Sequence, residues 1–442
     1  MRRSLVSAKR YNLVIAITVV CLITAMNAQA QLASQISSAS SPNPVGSGAR
    51  ATGMGGAFIA VADDATAASW NPGGLIQLET PEVSIVGAHN HRIEDTTYED
   101  FPEASGPQDY SSLDLNYFSV AYPFSLFNRN MIVSLNYQHL YDFGKEISYQ
   151  ASDETSSASL DYSREGGLRS ISPAYAIQVI PRVSFGATLN IWQDPLYDNE
   201  WQSTWTESGK GTVDGMDYSY QTTIEDTYQF SGVNINLGFL WHINHIITLG
   251  GVFKSPFTAD LQRDYHQINT TSSGQGDPLV DESSDSMDET LDMPMSYGIG
   301  IATRWSDAFT LSFDLYRTEW GDYVLHTADG KEISPITNAP IDESNIDATT
   351  QVRMGGEFLF IGERAVIPLR AGVFYDPEPA PDHSDDFWGI SIGSGIAYKQ
   401  VAFDLAYQYR FAEDVRAATV GSGQASQDIQ QHTVYMSVIY HF

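Results

Sequence analysis

Cysteine is almost absent. The single one, Cys21, lies inside an N-terminal stretch that reads as an export signal. The mature chain then holds no thiol, which excludes disulfides, thiolate metal sites and cysteine nucleophiles together. Cations are also scarce: 23 Lys and Arg stand against 54 Asp and Glu, for a formal charge of −31. Nothing resembles a basic stripe, so nucleic acid is excluded as a partner. Long apolar runs are missing as well. After the signal no stretch reaches the roughly eighteen apolar residues of a membrane-crossing helix. The histidines show no His-x-x-x-His spacing, and no metal is expected. Ser, His and Asp are present, but the Gly-x-Ser-x-Gly match at Gly389 to Gly393 falls inside the strand expected at 387–398 rather than on a strand-to-helix elbow, so no enzyme and no cofactor are expected.

What is there begins with the signal, residues 1–30. Arg2, Arg3, Lys9 and Arg10 precede a short apolar core from Leu13 to Ala25, and Ala28-Gln29-Ala30 offers a cleavage site before Gln31. Val20 is too bulky before Cys21 for a lipoprotein signal. Removing the signal's positive residues leaves a charge of about −35, and the acid collects at 94–109, 198–217 and 277–292. Acidic loops joined to nearly uncharged segments suit a barrel whose loops face water. A salt-adapted host is a second source of such acidity.

Between the acidic segments, period two dominates. In 183–192 Val183, Phe185, Ala187, Leu189 and Ile191 alternate with Ser184, Gly186, Thr188 and Asn190. In 233–242 Val233, Ile235, Leu237, Phe239 and Trp241 alternate with Asn234, Asn236 and Gly238. Stretches 401–411 and 432–442 alternate too. A soluble sandwich also alternates, but these strands run about ten residues, the length that crosses a bilayer at a tilt. Short turns (126–130, 242–245, 304–308, 398–400) take turns with long acidic loops, and aromatics gather near strand ends. The expected fold class is all-β: a transmembrane antiparallel barrel of about fourteen strands, occupying residues 81–442. The strands are expected near 83–92, 113–124, 130–147, 166–180, 182–194, 229–242, 246–255, 293–304, 308–320, 350–360, 365–376, 387–398, 400–411 and 432–442.

Residues 31–80 do not alternate. The Gly/Ala-rich run 48–75 predicts a plug inside the lumen, with helical turns at Ala65 to Trp70, capped by Asp63 or Asp64 and stopped by Pro72. Gly53, Gly55 and Gly56 lack the surroundings of a phosphate loop and are expected to serve tight packing. This segment resembles the hatch of the FadL/TodX family of outer-membrane transporters for long-chain fatty acids and hydrocarbons. The family's Ala-Asp-Asp step is Ala62-Asp63-Asp64 here, and its Asn-Pro-Ala motif is Asn71-Pro72-Gly73, with Gly for Ala. Stretches 309–320 and 366–381 are similar to later parts of the family, whose barrel has fourteen strands. The stretches 48–58 and Trp70-Asn71-Pro72 are also similar to PorV-type barrels, accessories of a bacterial secretion system. A scaffold role is therefore the alternative function.

The resemblance implies an outer-membrane channel for passive uptake of hydrophobic solutes such as fatty acids or hydrocarbons. It makes Asn71, Pro72, Gly73, Asp63 and Asp64 candidate gating residues. Trp201, Trp205, Tyr218 and Tyr220, in the long loop 195–228, are candidates for contact with an apolar ligand. Alternation puts Asp314, Arg353, Glu357, Arg370, Asp404 and Arg410 on the lumen side, since charges facing lipid cost several kcal/mol near the midplane. They are expected as a salt-bridge network that pins the hatch, with one arginine free to hold a carboxylate in the sharper reading. Where the family carries cations after its fifth strand, this chain has Trp192-Gln193-Asp194, which suits an uncharged solute. The family's inward wall kink would fall near His139 to Gly144. Further partners are outer-membrane lipids and the barrel-assembly machinery, met through the C-terminal strand ending at Phe442.

Overall fold

A period-two sequence can offer one face to lipid and the other to a lumen. Only closure of the sheet leaves no backbone edge unsatisfied in hydrocarbon. The computed structural model describes residues 41–98, 105–152, 156–193, 199–213, 216–273, 277–416 and 425–442. The expected signal peptide lies outside them.

The first ten strands are β1 (Glu82–Tyr98), β2 (Gly106–Leu126), β3 (Arg129–Asp142), β4 (Lys145–Ser152), β5 (Ser156–Ile180), β6 (Val183–Trp192), β7 (Glu200–Val213), β8 (Met216–His242), β9 (Ile247–Lys254) and β10 (Phe257–Ser272). The rest are β11 (Leu279–Met293), β12 (Ser296–Ser306), β13 (Phe309–Thr318), β14 (Val324–His326), β15 (Glu332–Ile333), β16 (Thr349–Ile361), β17 (Ala365–Tyr375), β18 (Trp388–Tyr398), β19 (Val401–Arg416) and β20 (Ala425–His441). Fourteen of them form a closed antiparallel ring: β1, β2, β3, β5, β6, β8, β9, β12, β13, β16, β17, β18, β19 and β20. The last returns to the first in continuous register from Glu82–His441 to Tyr98–Ala425. The Phe442 amide donates to Pro81 O at 2.9 Å, so the seam closes at the final residue.

The alternation sorts as its chemistry requires. Val233, Leu237, Phe239 and Trp241 face outward, while Asn234 and Asn236 are buried. Phe185 and Leu189 likewise face out, with Ser184, Thr188 and Asn190 inside. One end of the ring carries the tight turns. Phe127 and Asn128 between β2 and β3 both take left-handed φ, as a two-residue hairpin demands. The last strand, β20, ends at this same rim of the ring.

Two expectations need correction. The described residues of the acidic segments are mostly strand rather than irregular loop: 94–98 and 106–109 extend β1 and β2, and the rest fall in β7, β8 and β11. β4, β7, β10, β11, β14 and β15 join the upper halves of β5 and β8 in a second sheet that stands above the membrane span. Thr, Trp and Tyr between the acids favour extended chain, and cross-strand pairing overrides a polarity that reads as loop. The strand expected at 130–147 is also broken, ending at Asp142 and resuming at Lys145. A register shift between His139 and Tyr141 precedes the break.

Residues 41–80 fill the lumen. They form short helical turns at Ala49–Gly53 and Ala67–Trp70 and a 3-10 helix at Pro72–Gln77. Met54, Phe58, Ile59, Trp70 and Leu75 are fully buried, so the plug is the apolar core of the barrel. The helical turn starts later than expected, with Thr66 rather than an aspartate at its N-cap. The turn ends at Trp70, just before Pro72 as expected, and Pro72 also opens the 3-10 helix that follows, since its missing N–H costs nothing in a first turn. The wall makes room by presenting Gly186, Gly238, Gly250, Gly300, Gly355, Gly372 and Gly393, where any side chain would strike plug residues or the groups that hold them.

Candidate functional site

A plug without regular sheet pairing leaves backbone groups to satisfy, and the lumen face supplies them. Ser437 Oγ accepts from the Ala49 amide at 2.9 Å, and Ser391 Oγ from Gly55 at 2.8 Å. Ser184 donates to Gly73 O at 2.7 Å, Thr188 to Ala68 O at 2.9 Å, and Tyr117 to Ala65 O at 3.0 Å. The small polar residues of the strand pattern are thus the plug's hydrogen-bond partners.

Asn71 is completely buried. Its amide donates to Ile59 O and Phe239 O, both at 2.8 Å, and its Oδ1 accepts from the Gly73 amide at 3.0 Å. It ties the plug to itself and to β8. Asp64 turns the chain by accepting from Thr66 N at 2.8 Å and Thr66 Oγ1 at 2.6 Å. Burial pushes its carboxyl up to about 6, with Arg50 and Thr66 pulling the other way. Asp63 lies 2.5 Å from Arg50. Arg50, the only cation in the segment 31–80, was not foreseen as a site residue. Its isolation in a Gly/Ala run was the available signal.

The six lumen charges are all buried but do not form one network. Arg50 and Arg370 both grip Glu357, at 2.9 and 2.6 Å, and Arg370 reaches Asp404 at 2.5 Å. Arg410 belongs to a second group, with Asp376 at 3.1 Å and Glu378 at 2.8 Å, two acids not singled out from the sequence. Asp314 has no cation within ion-pair distance among the described residues and accepts from the Ile59 amide at 2.8 Å. Arg353 donates to Gln351 at 2.9 Å and has no carboxylate within ion-pair distance among the described residues. Its Nε is buried without a partner.

Above the plug, residues 42–44 floor an apolar cavity. Its walls include Leu140, Leu168, Trp192, Phe230, Phe257, Met293 and Trp320, and it is partly open to solvent. Trp192 stacks on Phe257 and meets Phe230 edge-on, with centroids at 6.5 and 6.1 Å. Trp320 Nε1 donates to Asn43 Oδ1 at 3.0 Å, and Lys254 Nζ to Val45 O at 2.8 Å. The floor is thus tied to the wall. A second, polar cavity lies across the same segment, lined by Asn116, His139, Asp142, Arg353 and Arg410.

The candidate aromatics divide. Trp201 is buried, stacked on Tyr228 and edge-on to Phe143, each at 5.0 Å, in the same apolar cluster as Trp192 and Phe230. Trp205 is half-buried against Tyr162 at 5.9 Å. Tyr218 and Tyr220 lie near the far end of the outer sheet, where Tyr220 donates to Glu207 at 2.7 Å. They share one face of the β7–β8 ladder but are strung out along it, Trp201 opposite Tyr228 at one end and Tyr218 opposite Gly211 at the other, so the strands spread residues that a loop could have gathered. The residues the sequence reading missed are Trp192, Phe230 and Phe257. Trp192 ends β6 and Phe257 begins β10, the place expected only of membrane-interface aromatics, while Phe230 lies within the long β8.

The chain matches the family model of outer membrane protein transport proteins (OMPP1/FadL/TodX) over residues 24–440. No curated protein matches it significantly. Among solved structures, a Pseudomonas aeruginosa FadL homologue is similar at a TM-score of 0.59 and 14% identity, over 90% of this chain and 98% of that one. The P. putida toluene transporter TodX is similar at 0.54 and 16%, over 90% and 99%. The CymD monoaromatic hydrocarbon channel is similar at 0.51 and 17%, over 90% and 98%. At such identities the structural likeness is one of fold. The family match over nearly the whole length adds the rest: the chain belongs to the FadL/TodX family of outer-membrane transport proteins, which are channels rather than enzymes.

Proposed function

We propose that this barrel carries hydrophobic solutes, long-chain fatty acids or hydrocarbons, passively across the outer membrane. The observation that carries the reading is the apolar cavity walled by Trp192, Phe230, Phe257 and Trp320 directly above a tethered plug. Solute enters past the aromatic cluster of the outer sheet, in which Trp201 is a packing element and Trp205 the more accessible contact. It leaves sideways where β3 is bulged and broken between His139 and Gly144. That exit spares each methylene an exposure to water worth about 0.8 kcal/mol. Gating belongs to Asp63, Asp64 and the Asn71-Pro72-Gly73 turn. Of the lumen arginines, Arg353 is the one free to hold a carboxylate. The chain divides into a signal peptide (1–30), a plug (31–80) and the barrel (81–442). The outer face meets lipid, and β20 with Phe442 presents the strand that the assembly machinery engages. Membership of a transport family leaves the scaffold role without a specific observation in its favour.

Expression in a strain lacking its own fatty-acid channel should restore growth on oleate or an alkane. Trp192→Ala should weaken that growth while the barrel still shifts on a gel upon boiling. A folded barrel that rescues growth on neither acids nor hydrocarbons would contradict the reading.

A further inference from the structure

The tight turns, the periplasmic end in barrels of this kind, carry cations in unequal company. Arg304 shares its turn with Asp307 and lies 3.7 Å from Asp63, and Arg364 follows Glu363. Lys399 sits over the Tyr398 ring, 5.2 Å from its centroid, in the turn next to the C-terminal strand. Arg129 and Arg182 differ. They stand on consecutive turns of the ring, β2–β3 and β5–β6. Neither turn, nor the β8–β9 turn that follows with His242 and His245, contains an acid.

Both arginines are exposed and held in place. Arg129 donates to Val179 O across the gap between the first two turns. Arg182 donates to Ile243 O at 3.2 Å across the next. Their other N–H groups have no protein partner among the described residues. Beside them, Phe127 and Ile180 are 86% and 52% exposed. The opposite end of the molecule is strongly acidic: 277–292 holds seven acids and no cation. An anion is repelled there and attracted here.

We propose that Arg129 and Arg182 form a headgroup site for an anionic phospholipid of the periplasmic leaflet. The planar guanidinium forks match phosphate oxygens, and Phe127 and Ile180 offer apolar surface to the acyl chains. Each cation near a membrane surface raises occupancy by an anionic lipid roughly fivefold.

The test uses the full barrel in non-ionic detergent, offered phosphatidylglycerol and phosphatidylcholine in equal amounts, with retained lipid read by native mass spectrometry. Phosphatidylglycerol should be retained over phosphatidylcholine by roughly twenty-five-fold. Arg129→Gln with Arg182→Gln should bring the two lipids close to parity. Arg364→Gln, whose turn holds Glu363, should keep the preference, and the gel shift on boiling certifies that each variant is folded. Equal retention by the unmutated barrel, or an undiminished preference in the double variant, would overturn the site. An equal loss in Arg364→Gln would assign the effect to diffuse rim charge and overturn it as well.

Discussion

Asn71 concentrates the plug's logic in one side chain. Its amide serves two carbonyls, one in the plug and one in β8, at full burial where water cannot substitute. Asn71→Ala strips both carbonyls of that donor, at a cost of about 1–3 kcal/mol. The wall strands pair independently of it, so heat-modifiability should survive while single-channel ion conductance rises. Unchanged conductance and unchanged solute uptake on one preparation would reduce the motif to packing. The residue types at this scale were readable in the sequence. Polar lumen faces, the buried charges and the Asn-Pro turn all follow from alternation and from the Gly/Ala run. Their pairing was not, because which arginine meets which acid depends on ring register. Asp376 and Glu378 lie beyond the regular alternation of β17, so no face could be assigned to them.

At the scale of elements, the plug carries a titratable brace. Burial raises the Asp64 carboxyl from 3.8 to about 6. Its folded value thus exceeds its unfolded one, so its contribution to a seated plug is complete below about 3.8 and is lost as pH rises through about 6. Conductance of the unmutated barrel should therefore be lower at acidic than at neutral pH. Asp64→Asn keeps an acceptor for Thr66 and should flatten that dependence, and a variant that retains the full pH profile would assign it elsewhere. The outer sheet is a separate element with its own core. Trp201 stacks on Tyr228 and Phe143 there, and Trp201→Ala should cost about 3–5 kcal/mol. Limited proteolysis should then cut within β7 and β8 while the membrane span stays resistant; cleavage no faster than in the unmutated barrel would mean the outer sheet does not depend on this cluster. This sheet was the least legible element. Acidic, serine-rich strands read as loop in isolation and become strands only by pairing with neighbours that the sequence does not identify.

For the whole molecule, the ring itself was legible, strand by strand, because lipid outside and plug inside impose opposite chemistry on alternate residues. Closure follows physically, since an open edge has no solvent in hydrocarbon. The glycines of the wall show the coupling in reverse: the barrel takes its inner shape from the plug it encloses. A barrel so filled is not an aqueous pore, and the account turns on its passing apolar solute while excluding polar solute of like size. The direct measurement is uptake of labelled toluene, hexadecane or oleate, beside a labelled sugar, by cells whose only such channel is this protein. The account predicts uptake of at least one apolar solute well above channel-free cells, reduced by Trp192→Ala, with the sugar at background. Sugar entering as readily as the apolar solutes, or no apolar uptake by a correctly folded barrel, would contradict it.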